Sequence, residues 1–247
     1  MYLCGRMLTK TQAIVLHSLK YGETRMIVDM FTRNFGRLSF IVSLPKSSKS
    51  KMKKQFFQPL TFLEIEVDVR SKVLLQKLSD VRLAVPFLSI HFHPHKLAIS
   101  LFMAEFLYYA LRSEQRNELL YDYIESSILW LDGQDGHFAN FHLVFLMRLS
   151  RFLGFYPNLE HYQTGDYFDL RESVFLPLPP IHRDFLYPEE AEKVQLMMRM
   201  DYPTMHLFRM SHQERNRLLD VSLKYYRLHL PDFPEMKSVD ILHELFQ

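Results

Sequence analysis

Lys46, Lys49, Lys51, Lys53 and Lys54 fall within nine residues, with no acidic side chain among them. The intervening serines and Met52 offer little that could pack. Such a segment has one evident chemistry. It neutralises phosphates and releases their counterions, which gives binding that ignores base sequence. Arg25, Arg33 and Arg37 precede it and extend the basic character. Tyr21, Phe35, Phe40 and Phe56 are interleaved with these cations and are candidate stacking faces for unpaired bases. The competing reading of the same residues is a solvated loop beside core aromatics.

Three other groups of residues have side chains that could carry chemistry. His91, His93 and His95 alternate, and on an extended segment they would share a side, but Pro94 breaks that geometry and no cysteine completes a zinc set. They read as the N-terminal boundary of a helix. Asp166, Asp169, Arg171 and Glu172, with His161 and His182 nearby, have the composition of a metal or hydrolytic site. The chain lacks a Gly-rich phosphate loop, a G-x-S-x-G elbow and an H-E-x-x-H motif, and it holds seven glycines in all. No catalytic residue, cofactor or metal is therefore expected. Arg148, Arg151, Arg215 and Arg217 lie in an otherwise acidic C-terminal region, where an arginine beside an apolar groove can clamp a peptide carboxylate. The competing reading is ordinary surface ion pairing.

The elements that must position these residues divide the chain. Residues 12–19, an apolar and partly β-branched run, residues 26–32, 38–44 and 60–69, which alternate at period two, and residues 73–78 read as strands, separated by turns at Tyr21-Gly22-Glu23, Asn34 to Gly36 and Arg70-Ser71-Lys72. Five short strands in about 75 residues fit a small barrel. The longest connection falls between the third and fourth strands, as in an OB-fold, and an SH3-like barrel shares the strand count. From Pro86 the period becomes 3.6. Helices are expected over residues 94–112, 118–131, 138–153, 189–200, 211–229 and 238–246, the fifth opened by a Ser211–Glu214 capping box. The first of these is apolar nearly all round, so it is expected to be buried. Residues 155–188 are loop-rich. The fold class is thus α+β and multi-domain: a barrel over residues 1–82 and an α-helical domain over 83–247.

Charge follows the same division. Residues 1–82 hold fifteen Lys/Arg against six Asp/Glu, a net of +9; the remainder holds fifteen against twenty-two, a net of −7. The lone Cys4 cannot form an intrachain disulfide, and no apolar run is long enough for a membrane helix. No signal-peptide core is seen at the start, Met7 is a candidate native start, and the cytoplasm is the expected compartment.

Taken together, the run Gln12-Ala-Ile-Val-Leu16, then Tyr21-Gly-Glu-Thr24, Phe31-Thr32, Gly36-Arg-Leu38, the lysine segment, and Gln58-Pro-Leu60 leading into Leu63-Glu-Ile65 resembles the N-terminal OB domain of the RecO family. Arg217-Leu218, Tyr226, His229 and Lys237-Ser238 resemble that family's last helices. The resemblance implies a nucleotide-independent recombination and repair mediator at the nucleoid. Such a protein binds single- and double-stranded DNA, anneals complementary strands, and works with RecR-like and SSB-like partners to load recombinase. It implies DNA contacts at Arg25, Arg33, Arg37, Lys46, Lys49, Lys51, Lys53 and Lys54. It also implies a helical-domain pocket for the acidic, Phe-ended SSB tail, for which Arg148, Arg151 and Arg215 are the candidates by chemistry. Many members carry a four-cysteine zinc module where residues 155–182 have no cysteine, so a metal-free insert is expected here. A protein-interaction scaffold without DNA affinity and an RNA-binding module are the competing functions.

Overall fold

The computed structural model describes residues 8–44 and 53–245. Five strands, β1 (Thr9–Tyr21), β2 (Arg25–Thr32), β3 (Gly36–Ser43), β4 (Phe62–Val67) and β5 (Leu75–Val85), close into a barrel of order β1-β2-β3-β5-β4. β1 is long enough to serve two neighbours. Residues 13–21 pair with β2 and residues 9–14 with β4, and its register shifts between Val15 and His17. Such an irregularity bends a strand and lets it turn a barrel corner. β3 and β5 close the barrel through the parallel pairs Ser39–Leu75, Phe40–Gln76 and Ile41–Lys77. This arrangement is that of an OB barrel.

Alternation explains the interior. Ala13, Val15, Val28, Met30, Phe40, Val42, Ile65, Val67 and Val81 point inward and are buried. Phe57, on a 3₁₀ helix over Lys54–Phe57, packs into the same core. The second half of β2 is covered on both faces, because outward-facing Phe31 stacks on Tyr121 with ring centroids 6.2 Å apart. β5 runs to Val85, beyond the expected strand over residues 73–78. Its outer face is polar, with Asp80 opposite Glu66 and Arg82 opposite Glu64, and only Val81 in that stretch is buried.

The chain divides into two compact units, one ending at Asp132 and one starting at Gly133. The first joins the barrel to α1 (Pro94–Ala110) and α2 (Glu118–Gly133). α1 starts where expected, with His93 at the N-cap and Pro94 in the first turn. It is less buried than expected, because Leu97 and Leu101 lie at the surface. The segment before it is held by one side chain. Asp132 accepts the backbone N–H groups of Leu88, Ser89 and Ile90 at 2.7–2.9 Å, and buried Lys96 donates to Ser89 Oγ and the Asp132 carbonyl.

The second unit contains α3 (Phe141–Phe152), strands β6 (Tyr167–Asp169), β7 (Val174–Leu176) and β8 (Phe185–Leu186), then α4 (Pro188–Arg199), α5 (His212–His229) and α6 (Ser238–His243). The loop-rich stretch therefore includes a three-stranded sheet of order β7-β6-β8. Its strands of two or three residues are too short to register as a period. Aromatic packing orders this insert: Phe175 meets Tyr162 and Phe168 at 4.8 Å, and Phe155 stacks on His229 at 4.7 Å. α3 is shorter than its apolar stripe suggested, because Asn140 ends the preceding loop by donating to the Met205 and Phe208 carbonyls. Gly154 follows α3 with φ +87°, and the Ser211–Glu214 capping box opens α5 as read.

Candidate nucleic-acid interface

The barrel arginines take two different positions. Arg25 opens β2 opposite Tyr21, and its exposed guanidinium lies 5.4 Å from the Tyr21 ring centre. Arg33 and Arg37 flank the β2–β3 turn and reach toward α1 and α2. Arg33 pairs with Asp122 at 2.8 Å, donates to Gln12 Oε1 at 2.8 Å and lies over the Tyr121 ring. The Arg37 side chain is only 10% exposed. It pairs with Asp29 at 3.4 Å, lies over Tyr108 at 4.5 Å and donates to the Tyr108 carbonyl. Burial pushes the Asp29 carboxyl up, but hydrogen bonds from His17 and Ser39 and the Arg37 charge outweigh it and hold that carboxyl below its usual range. These two cations hold the barrel against the helices.

Lys53 and Lys54 are exposed at the start of the 3₁₀ helix. Lys46, Lys49 and Lys51 lie outside the described residues, as do Cys4 and Met7. Of the four aromatics considered for stacking, Phe40 is wholly buried, and Phe35 and Phe56 pack on the core. Tyr21 alone of the four is exposed, at 48%. Arg70, Lys72 and Lys77 also stand on and beside the β4–β5 connection, where the sequence Arg70-Ser71-Lys72 by itself reads only as a turn. Lys77 faces the same cavity as Arg25. Its parallel partner Ile41 is 36 positions earlier, so no local pattern marks it.

In the second unit Arg148 and Arg151 stand near one another on α3. Arg148 donates to the Met200 carbonyl at 3.2 Å, and Arg151 lies over the Tyr156 ring at 5.8 Å. Burial pushes the Tyr156 hydroxyl up, against the opposing charges of these two arginines. Arg215 is not with them. It is 8% exposed on α5, close to His142 near the start of α3. Arg217 pairs on the surface with Glu190 at 2.5 Å.

The remaining constellations are committed to structure. The His91 ring packs on Phe87, and the His93 ring on His95. Asp169 accepts the N–H groups of Arg171 and Glu172 with one oxygen and His182 Nε2 at 3.1 Å with the other. The Asp184 N–H donates to His182 Nδ1 at 3.2 Å. Both ring nitrogens are thereby used, so these residues do not fit a zinc ion. Among the described residues no group of three His, Cys, Asp or Glu is arranged for a metal. Ser173 Oγ lies 3.3 Å from His229 Nε2, but that nitrogen also meets the Leu170 carbonyl at 2.9 Å. A carbonyl only accepts, so the proton sits on Nε2 and the ring cannot take one from the serine.

Two family models match in sequence order: "Recombination protein O N terminal" over residues 7–87 and "Recombination protein O C terminal" over residues 91–238. The chain belongs to the RecO family. "DNA repair protein RecO" of Phocaeicola vulgatus is 53% identical over 240 residues, covering 97% of this chain and all of the relative. RecO of Bacteroides fragilis is 52% identical over 241 residues, and RecO of Porphyromonas gingivalis is 36% identical over 246 residues, each with 97% of this chain and all of the relative covered. The RecO N-terminal match spans the closed barrel, and the RecO C-terminal match spans α1 through the start of α6. Among the described residues no helix is long and apolar enough to cross a membrane.

Proposed function

We propose that this chain is a non-enzymatic recombination mediator that binds and anneals single-stranded DNA and helps load recombinase onto SSB-coated strands. Family membership supports a role in DNA repair and recombination, and the two family matches running from residue 7 to residue 238 are the observation that carries the reading. In this proposal residues 1–82 form the nucleic-acid-binding domain and residues 83–247 the helical domain, working in the cytoplasm at the nucleoid. Arg25 and the lysines at 46, 49, 51, 53 and 54 meet phosphates. Arg33 and Arg37 contribute by fixing the barrel on α1 and α2, as their ion pairs support. Duplex DNA binds through the same phosphate contacts, and a RecR-like protein is a further partner. Arg148 and Arg151 beside Tyr156 suit the acidic, Phe-ended tail of an SSB-like protein, with Arg215 holding α5 in position.

Annealing of complementary SSB-coated oligonucleotides tests the proposal directly. The protein should accelerate it without nucleotide; no acceleration would sink the mediator role. Replacing Lys49, Lys51, Lys53 and Lys54 by Ala should weaken single-strand binding and flatten the plot of log affinity against log salt by about 0.7 per lost phosphate contact. An unchanged slope would remove the lysines from the interface.

A further inference from the structure

Pro177, Pro179 and Pro180 fall in the loop between β7 and β8. Proline fixes its own φ, has no N–H to donate and holds the residue before it extended. The loop can therefore neither curl into a helix nor lengthen the sheet. On it Leu178 is 74% exposed and Ile181 entirely so. The returning end of the loop is tied down. His182 Nε2 lies 3.1 Å from the Asp169 carboxylate, and the Leu170 N–H donates to the Asp184 carbonyl at 3.0 Å. The Asp184 carboxylate pairs with Arg171 at 2.6 Å and with Lys224 on α5 at 3.0 Å. Two aliphatic side chains thus project from a preformed loop and lose little freedom on meeting a partner. The loop's charge is one-sided: residues 173–183 hold no Asp or Glu, and Arg183 is exposed.

The same unit carries a complementary surface. α5 and the segment leading into α6 border a cavity of about 190 Å³. Its floor is apolar, with buried Leu223, Phe233 and Met236. Its rim is acidic, because Asp220, Glu235 and Asp240 outnumber Arg227. The Glu235 side chain is 94% exposed and lies 3.9 Å from Arg227. A pair that long and that exposed is worth little, so this carboxylate is available to another cation. A single exposed aliphatic residue is ordinary, but two on one ordered loop mark a contact surface. An aliphatic tip followed by a guanidinium matches this groove: the floor takes the side chain and the rim takes the charge.

We infer that this chain self-associates, with Leu178 and Ile181 of one copy seated in the α5–α6 groove of a second copy and Arg183 meeting Glu235 and Asp240 at the rim. Each copy carries both parts, so a reciprocal pair makes the contact twice and closes at two copies. The inference stands apart from the DNA-binding reading and uses none of its residues.

Sedimentation velocity of the full chain over a range of concentrations tests it. The parent should pass from one chain to two as concentration rises. Ile181→Asp, Arg183→Glu and Glu235→Arg should each weaken the dimer about tenfold or more. All three positions are exposed, so thermal melts of the variants should match the parent. The deciding sample is an equal mixture of the Arg183→Glu and Glu235→Arg chains. Each chain alone sets like charges against one another at both contacts. The mixed pair has one reversed contact and one native contact, both between opposite charges, so it should form with close to the parent's affinity. A parent that stays a single chain at every concentration overturns the inference. So does a dimer that Ile181→Asp leaves unchanged, and so does a mixture that fails to pair.

Discussion

A guanidinium suits a buried carboxylate as well as a phosphate, and Arg37 takes the first use. Its partners are Asp29, the Tyr108 ring and the Tyr108 carbonyl, all within the first unit. Removing one member of a buried pair leaves the other charge desolvated. Arg37→Ala should therefore cost about 3 kcal/mol of stability. Arg25→Ala, at an exposed position, should cost under about 0.5 kcal/mol while weakening DNA binding. Thermal melts and anisotropy on the two variants separate the roles. An Arg37→Ala protein of full stability with weakened DNA binding would return Arg37 to the interface. The two arginines look alike in sequence because Arg37's partner Tyr108 is 71 positions away, as Asp122 is 89 positions from Arg33.

At the scale of elements, the β2–β3 turn is where the barrel meets the helices. Gly36 has φ +70°, and a Cβ there would come within 2.4–2.6 Å of backbone atoms of Glu114 and Gln115. The Arg37 N–H donates to the Glu114 carbonyl at 3.1 Å in the same contact. Gly36→Ala meets a left-handed backbone and immovable atoms together, and should cost about 2 kcal/mol or more, read from chemical denaturation. A near-neutral result would mean that the turn is not seated there. Elements with a period were legible: four barrel strands, the starts of α1, α2 and α5, and the capping box all lie close to where alternation and cap chemistry put them. What escaped were features without one. β6 to β8 are held by ring packing, and the second half of β5 by its ladder with β4, with Val81 alone buried there. At the candidate interface, the basic character of the barrel was readable, while the closeness of Lys77 to Arg25 depends on a parallel pairing between distant strands.

The whole molecule adds its proton balance. His142 is completely buried, and desolvation, with the Arg215 and His243 charges, pushes its ring down to about 3 from a usual 6.5. A histidine depressed in the fold binds its proton first in the unfolded chain. Stability from this group is therefore full above about pH 6.5 and is lost as pH falls toward 3, by about 1.4 kcal/mol per pH unit. His142→Leu should flatten the slope of unfolding free energy against pH in that window by about one proton. Equal slopes would remove His142 from the balance. The basic front and acidic back remain the largest electrostatic feature of the sequence, +9 against −7 by residue count on either side of residue 82.

Barrel closure has a consequence for recruitment. Each of the five barrel strands has a hydrogen-bonded neighbour on both sides, but β3 and β5 share only three parallel pairs, and β5 beyond Lys77 is paired with β4 alone. In the insert, β7 meets Asn158 on its outer side, and β8 is two residues long. Neither gives strand addition the length it needs. A protein that assembles on the insert's strands must therefore recognise side chains and loops, so an interface there can be rewritten by point substitution without disturbing its backbone pairing.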